Sequence, residues 1–354
     1  MCWIFFLLIT DVVFGIDVKL EERIAISQDE AILMSVQCFA VTEDEILILP
    51  DAKEGDIKLY NNKGTLLKRW GRRGPGPEEF GSPWDCDYKE PYYLHLDPEK
   101  SMISIFKRTE TLKFDRLHEI RCIGCMSDVK IFNDGVMIDG YAIDSNGKEY
   151  SLYFKDFEGK KTKYILPRYL KYGFESENIS KIRLNDISPL GVFSYFSVYD
   201  HYIFYAWEGR LKILKIDLET NKVDSFGQET KYYARPKVTK GILEARMKRK
   251  GEIESKEKEN MSWIRGVFAN DDFIVLYYVN YNKQSSFWEA FLQFYDHSGN
   301  FFYEKRLPDA ISYLRNGPPF YYHQAKNRIY FLSLKLNTIG FLDEYEVLKY
   351  KIDK

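Results

Sequence analysis

The sequence predicts an all-β protein built as a six-bladed β-propeller, and three observations support this fold. The 354 residues include 27 Tyr and 25 Phe, side chains that are enriched in strands. Short polar turns recur along the chain, and each is followed by a compact apolar run, as in a hairpin that leads into a strand buried on both faces. A second polar turn follows most of them, so that each unit contains four strand candidates, the pattern of one propeller blade.

The first turns of the units determine the number of blades. Their central residues are Asp44, Glu90, Asp134, Asp200, Asp271 and Asn327, which gives six units. The last unit ends with the strand candidate 345–352 and has no fourth strand after it, whereas 18–26 is an unassigned strand candidate at the other end. Pairing the two would close the ring and remove its free edges. A pair of two-sheet sandwiches is the alternative all-β architecture.

The first 15 residues predict a signal peptide, which leaves 16–354 as the propeller. Trp3 to Ile9 is an unbroken apolar run that is too short for a membrane span and suits the apolar core of a secretory signal. No Lys or Arg precedes this run, so a buried N-terminal strand is the alternative. We therefore expect an exported protein, periplasmic or extracellular, without a transmembrane segment.

Four cysteines remain after the predicted signal peptide: Cys38, Cys86, Cys122 and Cys125. The close spacing of Cys122 and Cys125 is compatible with a tight disulfide, a redox motif, half of a metal site or two ordinary thiols. No second pair of cysteines or histidines follows at a metal-ligand spacing, so the sequence predicts no metal site there.

Residues 228–262 interrupt the strand rhythm between blades 4 and 5. The stretch from Thr239 to Glu259 is rich in helix formers and in charges of both signs, which predicts an amphipathic helix on one face of the ring. It would serve as a solvated cover or as a lid for a docking partner. The net charge of −2 gives no electrostatic reason to expect binding to nucleic acid.

One blade junction resembles an NHL-type repeat. The segment Trp70-Gly71-Arg72-Arg73-Gly74-Pro75-Gly76-Pro77-Glu78-Glu79-Phe80, followed by Pro83, is similar to the glycine- and proline-rich crossing of that family. The resemblance implies an exported six-bladed propeller of the NHL-like or TolB-like kind, many of which have no assigned activity. From the residues alone, the glycines and prolines shape the crossing, and Arg72 and Arg73 are candidates for holding an anion.

Candidate site residues are selected by counting back from the centres of the six first turns into the innermost strands. Six residues before each turn centre stand Cys38, Trp84, Asp128, Ser194, Arg265 and Tyr321, and four residues before stand Ala40, Cys86, Lys130, Phe196, Val267 and His323. We expect a ligand site at the channel mouth formed by Trp84, Asp128, Arg265, Tyr321 and His323. This mixture suits a polar ligand with a carboxylate or a sugar-like face. A structural ion pair between Asp128 and Arg265 is the alternative.

No catalytic signature is present, since the chain lacks both the G-x-S-x-G and the H-E-x-x-H motif. We therefore predict a monomeric, non-enzymatic module without a cofactor that binds a protein, a peptide or a glycan. The alternative is a lactonase or lyase that depends on Ca²⁺ or Zn²⁺ held near Asp128, Asn185, Asp186 and His323. A third possibility is a purely structural propeller within a larger assembly.

Overall fold

The computed structural model describes residues 16–76, 78–122, 128–168, 193–208, 210–235, 256, 259–312, 317–335 and 344–353. These residues form six four-stranded antiparallel sheets and one short parallel pair of strands. The prediction of an all-β, six-bladed propeller is therefore confirmed. The predicted signal peptide, residues 1–15, lies outside the described residues.

The six blades account for nearly all of the strands. Blade 1 contains β2 (Ala40–Val41), β3 (Leu47–Asp51), β4 (Asp56–Tyr60) and β5 (Leu66–Trp70). Blade 2 contains β8 (Asp85–Lys89), β9 (Tyr92–Asp97), β10 (Met102–Glu110) and β11 (Lys113–Arg121). Blade 3 contains β12 (Val129–Phe132), β13 (Gly135–Ile143), β14 (Glu149–Asp156) and β15 (Thr162–Pro167). Blade 4 contains β16 (Ser194–Tyr199), β17 (Tyr202–Trp207), β18 (Arg210–Asp217) and β19 (Val223–Phe226). Blade 5 contains β20 (Trp263–Ala269), β21 (Ile274–Asn282), β22 (Phe287–Tyr295) and β23 (Phe301–Ser312). Blade 6 contains β24 (Phe320–His323), β25 (Arg328–Lys335), β26 (Glu344–Asp353) and β1 (Asp17–Ala25).

Strands β6 (Arg72–Arg73) and β7 (Glu79–Phe80) form the parallel pair between blades 1 and 2, and a short 3₁₀ helix spans Gln324–Lys326. All six predicted first turns lie between the first and the second strand of a blade. Asn133, Asp200 and Asn327 have positive φ angles in these turns, a conformation that Asn and Asp tolerate better than most residues.

The last blade is closed by the first strand. Strand β1 pairs antiparallel with β26, with a register that runs from Asp17 opposite Asp353 to Ala25 opposite Glu346. Hydrogen bonding along this edge leaves β1 as the outermost strand of blade 6. The predicted closure of 18–26 against 345–352 is confirmed.

The apolar core is divided into six clusters, each shared by two neighbouring blades. The cluster between blades 3 and 4, for example, joins Met137 and Leu152 to Phe196 and Ile203. The first strands of successive blades also contact one another around a central channel. Each blade therefore buries both of its faces, which explains the unbroken apolar runs in the second strands.

The glycine-rich junction between blades 1 and 2 has a structural role. Gly71 has a φ of 75°, and a Cβ at this position would lie 2.3 Å from the ring of Phe80. Trp70 packs edge-on against the same ring, with the ring centroids 5.5 Å apart. The crossing thus needs glycine at this position both for the backbone conformation and for the close approach of Phe80.

The predicted helical insertion at 228–262 is not supported. Most of it lies outside the described residues; the described stretches 228–235 and 259–262 contain turns and irregular backbone, and residue 256 is the one described position of the segment with helical conformation. The two ends of the segment meet, because the backbone N–H of Ser262 donates to the Ala234 carbonyl at 2.8 Å and the Ala234 N–H donates to Ser262 Oγ at 2.7 Å. The segment therefore leaves and re-enters the ring at one point.

Candidate functional site

A cavity of about 740 Å³ occupies the central channel and is lined by residues from all six blades. All five ligand-site candidates from the sequence line this one cavity: Trp84, Asp128, Arg265, Tyr321 and His323. Asp271 and Asp272, which are exposed, lie at its rim on the side of the first turns. The structure thus brings the predicted residues together around one space, and their role in binding stays a prediction.

Asp128 and Lys130 form an ion pair in the wall contributed by blade 3. Asp128 Oδ1 lies 2.7 Å from Lys130 Nζ, and Asp128 Oδ2 accepts a hydrogen bond from the backbone N–H of Phe196 at 2.7 Å. The Asp128 residue is only 4% exposed. Its carboxylate therefore both neutralises the ammonium group and joins blade 3 to blade 4.

Asp85 and Asp87 of β8 extend this wall, and the count back from the turns selected neither of them. Asp85 Oδ2 accepts the N–H of Val129 at 2.8 Å, and Asp87 Oδ2 accepts the N–H of Ile131 at 2.8 Å. These N–H donors belong to β12, which is the edge strand of its sheet and pairs only on its other side, with β13, among the described strands. Each bond spans 44 residues, so the carboxylate and its partner occupy equivalent positions in consecutive units. The alternation of Asp85 and Asp87 about Cys86 was the signal in the sequence that could have revealed them.

Burial and mutual repulsion control the charges on this wall. Burial, together with the neighbouring Asp128 with which it hydrogen-bonds, raises the pKa of Asp85 well above its usual value. Burial also raises the pKa of Asp87 to about 6, although Lys130 opposes the shift. Burial would lower the pKa of Lys130, but the attraction of Asp128, Asp85 and Asp87 outweighs it and keeps the ammonium charged.

Arg265 is matched by a carboxylate within the wall. Its guanidinium forms a buried ion pair with Glu208 and donates to the Tyr195 hydroxyl at 3.0 Å. Arg265 lies at an irregularity in the pairing of β20 with β21, between Ile264 and Gly266. The sequence offers an ion pair between Asp128 and Arg265 as the alternative. In the structure, Asp128 pairs with Lys130, and Arg265 pairs with Glu208.

Tyr321 and His323 belong to the wall of blade 6. The Tyr321 hydroxyl donates to the Tyr88 carbonyl at 2.9 Å, across to blade 2. His323 is 4% exposed, burial lowers its pKa, and its ring hydrogen-bonds the backbone of Thr42. Its Nε2 atom makes no hydrogen bond within the described part of the chain and lies 3.5 Å from Glu43 Oε2.

Trp84 lies at the end of the cavity away from the first turns. Its ring stacks on Phe193 with the centroids 6.1 Å apart and the planes at 23°. Both rings line the cavity. They form an aromatic platform that could carry the flat face of a ligand.

The two candidates for an anion site, Arg72 and Arg73, are not among the residues that line the cavity. Arg72 Nε donates to Glu79 Oε1 at 2.7 Å, and Arg73 donates to both oxygens of Glu99 at 2.9 Å. An anion would therefore compete with two glutamates, and the anion site stays a prediction.

The cysteines differ in state. Cys38 and Cys86 are buried free thiols that line the cavity, and burial raises the pKa of each. Cys122 is disulfide-bonded, while Cys125 lies outside the described residues. A disulfide was one of the alternatives that the sequence left open for this pair.

Within the described ranges, no group of three or more His, Cys, Asp or Glu side chains could hold a metal ion. Of the residues proposed for the metal-dependent alternative, Asp128 and His323 line the cavity, whereas Asn185 and Asp186 lie outside the described ranges. The same part of the chain contains no helix that is long and apolar enough to cross a bilayer.

Comparison with known proteins identifies the fold alone. No protein-family model matches the chain, and no curated protein matches it, so the NHL resemblance is not confirmed. A solved structure of a DUF4221 family member from Bacteroides vulgatus is 11% identical, with a TM-score of 0.62, covering 96% of this chain and 99% of its own. A putative exported protein from Bacteroides fragilis is 13% identical, with a TM-score of 0.57, covering 95% and 96%. The chain is thus similar in fold to both.

Proposed function

We propose that this protein is a non-enzymatic binding propeller that acts outside the cytoplasm and holds a small polar ligand in its central channel. The observation that carries the proposal is the cavity of about 740 Å³, whose wall contains ionisable groups from several blades. A volume of this size suits a small molecule or the end of a peptide or glycan.

The way the wall carboxylates are held supports binding. Asp85 and Asp87 each use one oxygen to accept a backbone N–H from the next blade, which fixes the orientation of the carboxyl group. The second oxygen of Asp87 is then left for a ligand at the cavity wall. Such preorganised groups lose little freedom when a ligand binds.

Two observations support a location outside the cytoplasm. Cys122 is disulfide-bonded, and disulfides persist mainly in oxidising compartments. One of the structures similar in fold is a putative exported protein. The signal peptide predicted from residues 1–15 is part of the same proposal.

The test is a thermal-shift screen with small amines, sugars, carboxylates and short peptides. A hit should raise the melting temperature of the wild type and raise that of Ser197→Phe much less, because Ser197 lines the cavity and a phenyl ring there would obstruct it. The matched control is Ser225→Phe on the exposed outer strand of blade 4, which should respond like the wild type. If no compound of any class shifts the wild type, or if Ser197→Phe responds equally, the channel is not the binding site.

A further inference from the structure

The cavity wall contains more negatively charged than positively charged side chains. Six carboxyl groups line the cavity against two ammonium groups, those of Lys89 and Lys130, a formal excess of four negative charges; the carboxyl groups belong to Glu43, Asp85, Asp87, Asp128, Asp271 and Asp272. Arg265 adds no net charge because Glu208 cancels it. Carboxylates that are taken out of water need either protons or cationic partners.

A buried imidazole nitrogen in the wall of blade 6 is a second, independent observation. The ring of His323 lines the cavity and is only 4% exposed. Its Nε2 atom is buried, makes no hydrogen bond to any residue that the structure describes, and lies 3.5 Å from Glu43 Oε2. In the tautomer with the proton on Nδ1, both Nε2 and the Glu43 carboxylate are acceptors, and one ligand donor between them would satisfy both. Glu43 is half exposed on its turn and can move to admit one.

We infer that the channel ligand is an organic cation whose primary amino groups donate to the Asp85–Asp87 carboxyl groups and to the His323–Glu43 pair. This inference rests on the proposed function and specifies its ligand class. An ammonium group supplies three donors and one positive charge, which complement the excess of negative charge in the wall. The aromatic rings of Tyr321 and Trp84, which line the same cavity, favour the same charge through cation–π attraction.

A bare metal ion fits these residues less well. Among the residues that the structure describes, no three His, Cys, Asp or Glu side chains converge as ligands. One oxygen of Asp85 and one of Asp87 are also already committed to backbone N–H groups. Ca²⁺ needs six or more oxygen ligands and Zn²⁺ about four ligands in one close shell, whereas an ammonium group accepts separated partners.

Isothermal titration calorimetry with cadaverine and phenylethylamine at neutral pH tests the inference, with pentanediol, phenylethanol and glutarate as neutral and anionic counterparts. We expect at least one amine to bind at one site per chain, and its uncharged counterpart and glutarate not to bind. Asp87→Asn should weaken amine binding by about tenfold or more, the effect of losing one charged hydrogen bond. Glu43→Gln, a change on a half-exposed turn, should weaken it as well.

The matched control is Asp224→Asn on the exposed strand β19, which should bind the amine like the wild type. The inference is overturned if neither amine binds, if Asp87→Asn and Glu43→Gln bind as tightly as the wild type, or if CaCl₂ alone abolishes amine binding by occupying the site. Binding of a sugar or carboxylate instead would overturn the amine assignment and leave the channel as the binding site. Failure of every compound class in the thermal-shift screen would overturn the proposed function itself.

Discussion

Val18 lies directly opposite Ile352 in the antiparallel pairing of β1 with β26. Both side chains are buried, at 4% and 1% exposure, and both belong to the apolar cluster between blades 5 and 6. The residues that close the ring therefore also fill its core, and the ring is held by burial as well as by the ladder of backbone hydrogen bonds.

Substituting Val18 should open this closure. Val18→Gln removes a buried valine and places an amide in an apolar cluster, which we expect to lower the free energy of unfolding by about 2–4 kcal/mol. Urea titration followed by circular dichroism measures the change. Lys19→Gln, on the exposed face of the same strand, should change it by less than about 0.5 kcal/mol. Equal effects of the two variants would show that β1 does not close the ring in solution.

Asp97 should be a structural carboxylate. It is 1% exposed and accepts the backbone N–H groups of Gly81 and Ser82 at 2.6 and 3.2 Å. Asp97→Ala leaves these donors without that acceptor, so we expect a loss of about 2–4 kcal/mol in urea unfolding. Asp115→Ala on the exposed outer strand of the same blade is the control and should be nearly neutral. A loss at Asp97 no larger than at Asp115 would contradict the assigned role.

His95 should make the protein sensitive to acid. Its ring is fully buried among Phe80, Phe106 and Tyr93, and burial lowers its pKa to about 4, below the usual value of 6.5. The folded state therefore binds fewer protons than the unfolded state between these values, so stability falls as the pH drops from 6.5 to 4, by on the order of 3 kcal/mol.

His95→Phe removes this titration and should flatten the pH dependence of unfolding in that range. Chemical denaturation at a series of pH values provides the measurement. His118→Phe, at a histidine on the outer strand of the same blade, is the control and should keep the wild-type slope. An unchanged slope in His95→Phe would mean that His95 is not buried as a neutral ring.

Asp87 should change the pH dependence of stability in the opposite direction to His95. Burial raises its pKa to about 6, so the folded state binds more protons than the unfolded state between about pH 4 and 6, and stability falls as the pH rises through this interval. Asp87→Asn keeps an acceptor for the Ile131 N–H and removes the charge beside Asp128. It should therefore be as stable as the wild type or up to about 2 kcal/mol more stable at neutral pH. A clear loss of stability in Asp87→Asn would contradict this assignment.

The blade number and the closure could be predicted from sequence because both depend on local chemistry. Turn residues such as Asn133 and Asn327 adopt positive φ angles readily, so they mark hairpins in the sequence itself. The unmatched strand at 18–26 indicated the closure, since an open edge of blade 6 would otherwise remain unpaired.

The site could be predicted only in part because a count from the turns ignores bulges and the alternation of side chains. The count found Asp128 and Arg265 but passed over Asp85, Asp87 and Tyr195, each one residue away from a counted position. It could not reveal that Glu208 neutralises Arg265, since that contact joins two blades. The helix expected between Thr239 and Glu259 rested on composition and a thin apolar stripe, and nearly all of that stretch lies outside the described residues.

The pairing of β1 with β26 also has a consequence for biosynthesis. The ribosome produces β1 before any other strand of the ring, and its partner emerges last. Blade 6 therefore cannot be completed until translation has passed residue 353, and β1 waits without its partner while the other blades can already form. A nascent chain that stalls before β26 leaves an incomplete ring with exposed strand edges.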